Sequence, residues 1–249
     1  MTPMVSIVTP AYNAEKTIAD TILSVLNQTY NNWEMIIVDD CSNDKTKEVI
    51  NSFEDKRIKP IFLNKNKKVA NARNEAIKAA TGEYIAFLDS DDLWEKSKLE
   101  KQVAFMQEKK YDFTYTNYNV IDEDGKYVKE IITNKHEVDY KTLLKSNFIG
   151  CLTIMIKTDI MKKNLMPAIG HEDYATWLTI LKNDVDKAYL LNEKLAKYRL
   201  VSNSVSSNKL KVIKWTWNIY RKNQKLGFIK SISLILVWGY YAMKKYRSG

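Results

Sequence analysis

Along the first ninety residues, short continuous apolar runs alternate with segments whose apolar residues recur every three or four positions. The runs at residues 5–9, 33–38, 58–63 and 84–88 read as buried strands. Pro10 is the expected end of the first. Between the runs, Ile18, Ile22, Val25 and Leu26 fall on one helical face, with Asn13 as the expected cap. Ser42 and Asp44 precede a second helical pattern through Val49, Ile50 and Phe53. Residues 70–80 are alanine-rich and helical, with Gly82 as the expected stop. Four strands separated by three helices predict an α/β fold: a Rossmann-like, mostly parallel central sheet flanked by helices. In such a sheet, ligands bind at the carboxyl ends of the strands.

The second half is less regular. Residues 99–107 read as a helix, and residues 113–120 and 128–133 as a hairpin around Asp124-Gly125. Residues 149–157 form another apolar run. Residues 172–181 read as a helix with Trp177 and Leu181 on one face. A last strand at 195–201 leads into a polar linker at 202–208.

From Lys209 onward the composition changes. This tail holds ten Lys and Arg, no Asp or Glu, and eight aromatic residues, so it carries +10 of a net charge of +9. The body before it is nearly neutral, which argues against a nucleic-acid partner. Basic, aromatic and aliphatic residues together predict an amphipathic helical tail at 209–249 lying on an anionic membrane surface. A helix packed on the body is the alternative. The longest charge-free stretch, residues 231–243, is shorter than the roughly 20 residues a spanning helix needs. No basic segment leads into an apolar one at the start, so a cytoplasmic protein attached peripherally to the inner face of the membrane is expected. Two cysteines, Cys41 and Cys151, give no disulfide framework, and two histidines give no His-rich metal site.

Candidate chemistry sits at predicted strand ends. Asp89, Ser90, Asp91 and Asp92 follow a buried run, and acids so crowded repel one another unless a cation joins them. Hard carboxylates suit Mn²⁺ or Mg²⁺, which also takes phosphate oxygens; capping of the next helix is the alternative. Asp39-Asp40 ends the second strand, where a carboxylate can accept from a base N–H or a ribose hydroxyl, or cap the next helix. Arg73 lies among small residues and can meet a pyrophosphate with its planar fork, or pair with a neighbouring acid such as Glu75. Glu172 and Asp173 open a helix, as a general base or as ordinary first-turn acids. No Gly-x-Gly-x-x-Gly follows the first strand and no Gly-Lys-Ser/Thr loop occurs, so nicotinamide, flavin and P-loop chemistry are not indicated.

Taken in order, Val5-Ser6-Ile7-Val8-Thr9-Pro10-Ala11-Tyr12-Asn13, Gln28-Thr29-Tyr30, Asp39-Asp40-Cys41-Ser42-Asn43-Asp44, Ala72-Arg73-Asn74, Gly82 to Asp92, Glu172-Asp173-Tyr174 and Trp177 resemble a family 2 inverting glycosyltransferase of the GT-A fold. The resemblance covers about residues 4 to 205. Tyr198-Arg199, Ser204 to Lys209 and the basic aromatic tail resemble bacterial enzymes that build teichuronic acid, capsule and O-antigen. The resemblance implies a GT-A domain at 1–208, with a nucleotide-binding half at 1–95 and an acceptor half at 96–208. It implies a UDP-sugar donor and a lipid-linked or oligosaccharide acceptor. Pro10, Ala11 and Tyr12 would line the nucleotide pocket, and Asp40 would accept from the uracil N3–H. Arg73 would face the base or pyrophosphate. Asp89 would lie near the ribose and the metal's water shell, with Ser90 beside it in the nucleotide site. Asp91 would bind the metal. Asp173 would be the catalytic base, with Glu172 nearby for the acceptor. Lys68 stands where the family often has Gly, which puts the turn there in question.

Two other functions fit parts of the pattern. A nucleotidyltransferase also joins a parallel sheet, acids and a metal, but needs a Gly- and Lys-rich loop after the first strand that this chain lacks. A non-catalytic binder would use the basic aromatic tail to grip a membrane or nucleic acid.

Overall fold

The computed structural model describes residues 2–200 and 209–247. In chain order, β1 (Val5–Ala11), α1 (Ile18–Leu26), β2 (Trp33–Asp39), α2 (Thr46–Asn51), β3 (Ile58–Phe62), α3 (Val69–Ala79) and β4 (Tyr84–Phe87) form the first half. Then come β5 (Leu93–Trp94), α4 (Lys98–Lys109), β6 (Phe113–Ile121), β7 (Tyr127–Ile131), β8 (Glu137–Val138) and α5 (Tyr140–Leu143). A 3₁₀ turn (Cys151–Thr153) precedes β9 (Met155–Lys157), α6 (Thr158–Lys163), α7 (Glu172–Asn183) and β10 (Ala188–Arg199). The tail forms α8 (Lys209–Asn218), a π-helical turn (Ile219–Asn223) and α9 (Phe228–Arg247).

One sheet runs β3-β2-β1-β4-β9-β6-β10-β5, with β7 on β6 and β8 on β10. The first four strands are parallel, β9 is antiparallel to both neighbours, and β6 and β10 are again parallel. Period-2 alternation explains the continuous apolar runs: both faces of the sheet are covered. Ile7, Met35 and Ile37 enter a core with Ile18, Ile22, Leu99 and Val103. Val8, Ile36 and Val38 enter the opposite core with Ala72, Ala76, Trp177 and Leu178. Phe87 and Phe113 meet the Trp177 ring at 5.5 and 5.6 Å between centroids, which fixes α7 against the sheet.

Several boundaries differ from the sequence pattern for identifiable reasons. β1 continues through Pro10 to Ala11, because Pro10 lies beyond the last β4 pair at Val8 and Phe87, where its missing N–H is tolerated. Thr17, not Asn13, stands ahead of α1; Asn13 turns at positive φ and accepts from the Asn43 N–H. α3 ends with Ala80 extended, so Gly82 is no cap. Gly82 is needed instead for close packing, since a Cβ there would lie 2.6 Å from the Met4 carbonyl oxygen. Residues 149–157 divide into the 3₁₀ turn and the short β9. β10 starts at Ala188 because register shifts between Leu191 and Ala196 interrupt its alternation. The predicted linker at 202–208 lies outside the described residues. The tail packs on the body through Ile219 and Tyr220, both fully buried, and Tyr220 donates to the Leu144 carbonyl at 2.6 Å. Among the described residues, no helix is long and apolar enough to cross a membrane.

Candidate active site

The carboxyl ends of β1, β2 and β4 place Pro10, Ala11, Asp39, Asp40 and the Asp89 turn along one edge of the sheet. Two loops at this edge are tied together. The Asn13 N–H donates to Ser42 Oγ at 2.9 Å, the Ala14 N–H to Thr46 Oγ1 at 2.7 Å and the Glu15 N–H to Asp44 Oδ2 at 3.1 Å. Pro10 and Ala11 are buried beneath this junction, while Tyr12 is about half exposed beside it. Asp39 accepts from Ser42 through the backbone N–H and the hydroxyl, which shapes its own turn.

Asp40 has a different task. Both of its oxygens accept backbone N–H groups across the edge, from Lys67 and Lys68, each at 2.7 Å. Lys68 adopts φ 72° and ψ 163° to donate there. That region of backbone space belongs almost entirely to glycine and costs a side-chain-bearing residue about 1–3 kcal/mol. The turn questioned from the sequence is therefore made, under strain, and Asp40 is the group that holds it.

Arg73 projects from α3 and is 5 % exposed. Its Nη2 donates to both oxygens of Asp89 at 2.7 and 2.8 Å, and its Nη1 to Glu172 Oε1 at 2.6 Å. Burial works against the guanidinium charge, but the two carboxylates overcome it and hold the group well above the usual arginine range. The β4 edge and the start of α7, far apart in sequence, are thus joined through one side chain. Burial pushes Glu172 up, opposed by Arg73. Asp173 follows on the next position of α7 and is partly exposed.

The acidic turn is braced from behind. Burial and the charges of Asp91 and Asp89 push Asp92 up, and its Oδ1 accepts the Arg199 N–H at 2.9 Å. Arg199 Nε donates to the Asp91 carbonyl at 2.9 Å, its Nη1 to the Glu123 carbonyl at 2.8 Å and its Nη2 to Asp20 at 3.2 Å. Asp91 is pushed up to about 6, first by burial and then by the Asp89 charge. A carboxylate with such a deficit of positive charge fits a hard divalent cation. Among the described residues, no three His, Cys, Asp or Glu side chains converge as a closed metal cage.

Three residues of the site were not singled out for a role from the sequence. Arg199 entered only through the Tyr198-Arg199 pair of the resemblance, with no role attached to it. Cys151 lies close enough to Arg73, Asp89, Asp173 and Glu172 for their charges to act on it; burial pushes its thiol up and Arg73 opposes the shift. His171 turns at φ 56° before α7, packs edge-on to Trp215 at 5.2 Å, and is pushed down by burial. No local pattern marks the last two, because both depend on contacts between distant segments.

Known proteins share this architecture. The model for "Glycosyl transferase family 2" matches residues 6–163. The chain is 46% identical over 246 residues to a Bacillus subtilis (strain 168) protein whose name assigns it to teichuronic acid biosynthesis, the glycosyltransferase TuaG; the match covers 98% of this chain and 97% of that one. It is 42% identical over 216 residues to the Escherichia coli UDP-Glc:alpha-D-GlcNAc-diphosphoundecaprenol beta-1,3-glucosyltransferase WfgD, covering 87% and 85% of the two chains. Among solved structures, S. aureus TarS 1-349 in complex with UDP-GlcNAc aligns with a TM-score of 0.72 at 22% identity, over 93% of this chain and 70% of that one. That likeness gives the fold, which is GT-A.

Proposed function

The chain belongs to glycosyl transferase family 2, and from that premise we propose that it is a metal-dependent, inverting transferase moving a sugar from a UDP-sugar to a hydroxyl of a lipid-linked glycan in bacterial surface polysaccharide synthesis. The observation that carries this reading is the bridge from Asp89 through Arg73 to Glu172. It supports a single cleft with a donor diphosphate on the Asp89–Asp91 side and an acceptor on the α7 side. In this reading, residues 1–95 hold the nucleotide and residues 96–208 the acceptor.

The roles follow from the chemistry. Pro10, Ala11 and Tyr12 line the nucleotide pocket, and Asp40 receives the uracil N3–H while bracing the loop over it. Asp89 and Ser90 face the ribose side. Asp91 would hold the divalent cation, which would supply positive charge against the leaving diphosphate. Asp173 takes the proton from the attacking hydroxyl. A single displacement needs no carboxylate nucleophile, so one base is sufficient. Glu172, neutralised by Arg73, orients the acceptor and keeps the start of α7 in place.

Asp173→Asn is expected to lower transfer on the order of 10³-fold without moving the thermal unfolding midpoint, because general-base catalysis is worth about that much. Asp91→Ala is expected to abolish metal-dependent transfer. Wild-type turnover in either folded variant would overturn the assigned roles.

The same reading places the protein in the cytoplasm, attached peripherally to the inner face of the membrane by the tail. The full chain is expected to float with anionic vesicles, and a chain ending at residue 208 to stay behind. Equal flotation of the two would remove the tail from that role.

A further inference from the structure

A second cleft opens beside the start of α7, between residues 167–170 and the tail. Its volume is about 410 Å³. Ile169 and Gly170 form one wall; Trp215, Asn218, Lys222 and Asn223 form the other. The walls are fitted to each other. A Cβ on Gly170 would lie 2.1 Å from the Trp215 ring, and the same ring receives the edge of His171.

The lining is apolar at Pro167, Ile169 and Trp215, and its polar groups are Asn218, Lys222 and Asn223. Lys222 is exposed and lines the cleft, and the chain has no Asp or Glu from residue 209 onward. Asn223 Oδ1 accepts from Gln224 Nε2 at 2.6 Å, which leaves its NH₂ as the available donor. Beyond the cleft, α9 presents a second kind of surface. Ile229, Ile232 and Leu236, spaced along one helical face, are 84%, 41% and 69% exposed. On its other side, Ser231 is buried and Leu234 and Ile235 pack against the core. Gly170 is three residues from Asp173, so their Cα atoms are at most about 11 Å apart.

We propose that this cleft seats the diphosphate of a lipid-linked acceptor, with its hydrocarbon chain running along the exposed face of α9. The inference rests on the transferase reading and identifies which surface holds the acceptor's carrier. One sugar then spans from the seated diphosphate to Asp173. A cleft with one lysine and two amides, on the segment that leads into the apolar stripe of α9, suits an amphiphilic diphosphate better than free diphosphate, which would leave the stripe unused.

The test uses the full chain and farnesyl diphosphate as the probe, with farnesol, inorganic diphosphate and UDP as separate titrants. Farnesyl diphosphate is expected to bind more tightly than farnesol or inorganic diphosphate. Lys222→Glu should weaken it on the order of 10-fold, the worth of a hydrogen bond to a charged group. Lys222→Arg should restore it, and Lys56→Glu, a charge change at an exposed lysine ahead of β3, should leave it unchanged. UDP should bind all these variants alike. Equal affinity of wild type and Lys222→Glu for farnesyl diphosphate would overturn the proposal. So would an equal loss in Lys56→Glu, which would reduce the effect to bulk charge, or inorganic diphosphate binding as tightly as the lipid. Failure of the wild type to bind UDP would count against the transferase reading instead, and the lipid titrations would still decide the cleft.

Discussion

At the scale of single residues, Arg73 is the most consequential side chain. Its two ion pairs are short and largely buried, and each joins a different segment. Removing one partner of a buried ion pair costs far more than the pair gains on forming, because the remaining charges lose their compensation. Arg73→Met is therefore expected to destabilise the protein by roughly 3 kcal/mol, lowering the Tm by about 9 °C, in addition to its effect on turnover. A melting curve unchanged from wild type would show that Asp89 and Glu172 find other partners. The sequence identified Arg73 as special by its alanine-rich surroundings but gave Glu75 as the named alternative partner. The actual partners are 16 and 99 residues away, and no local spacing rule reaches that far. Asp40 was legible as an acid at a strand end. Its grip on the Lys67 and Lys68 amides was not, because it depends on the backbone of a loop that carries no periodicity.

At the scale of elements, the alternating strands and helices of the first half were readable because both faces of a parallel sheet must be apolar. The same logic failed for 149–157 and for the start of β10, where a 3₁₀ turn and register shifts break the pattern. α4 shows what packing adds. Lys98 is fully buried at its start, with Nζ 2.7 Å from Gln102 Oε1 and 4.2 Å from the Trp94 ring centroid. Burial pushes it down to about 7, against an ordinary value of 10.5. The unfolded chain therefore holds a proton that the folded one releases between pH 7 and 10.5. The contribution of this residue to stability is lost as pH falls through 7 and recovers as pH rises toward 10.5. Measured from pH 7 to 10, wild-type stability should gain a rising component that is absent in Lys98→Met. Parallel pH profiles for the two proteins would refute this titration.

At the scale of the whole molecule, the sheet brings two acidic strand ends, a buried arginine and the start of α7 to one edge, while the tail packs on α7 through Trp215, Tyr220 and Gln224. The basic, aromatic composition of the tail was plain in the sequence, but its anchorage through Ile219 and Tyr220 was not, since two apolar residues among many charges give no burial signal. The central claim is a metal-dependent, inverting transfer from a UDP-sugar. It is tested most directly by incubating the full chain with each of a panel of α-linked UDP-sugars and a lipid-diphosphate-linked GlcNAc acceptor, with Mn²⁺ or Mg²⁺ and then with EDTA. Proton NMR then gives the anomeric configuration of the product. A β-linked product from one UDP-sugar, lost on chelation, is expected. An α-linked product, transfer indifferent to EDTA, or no transfer from any UDP-sugar by the folded protein would contradict it.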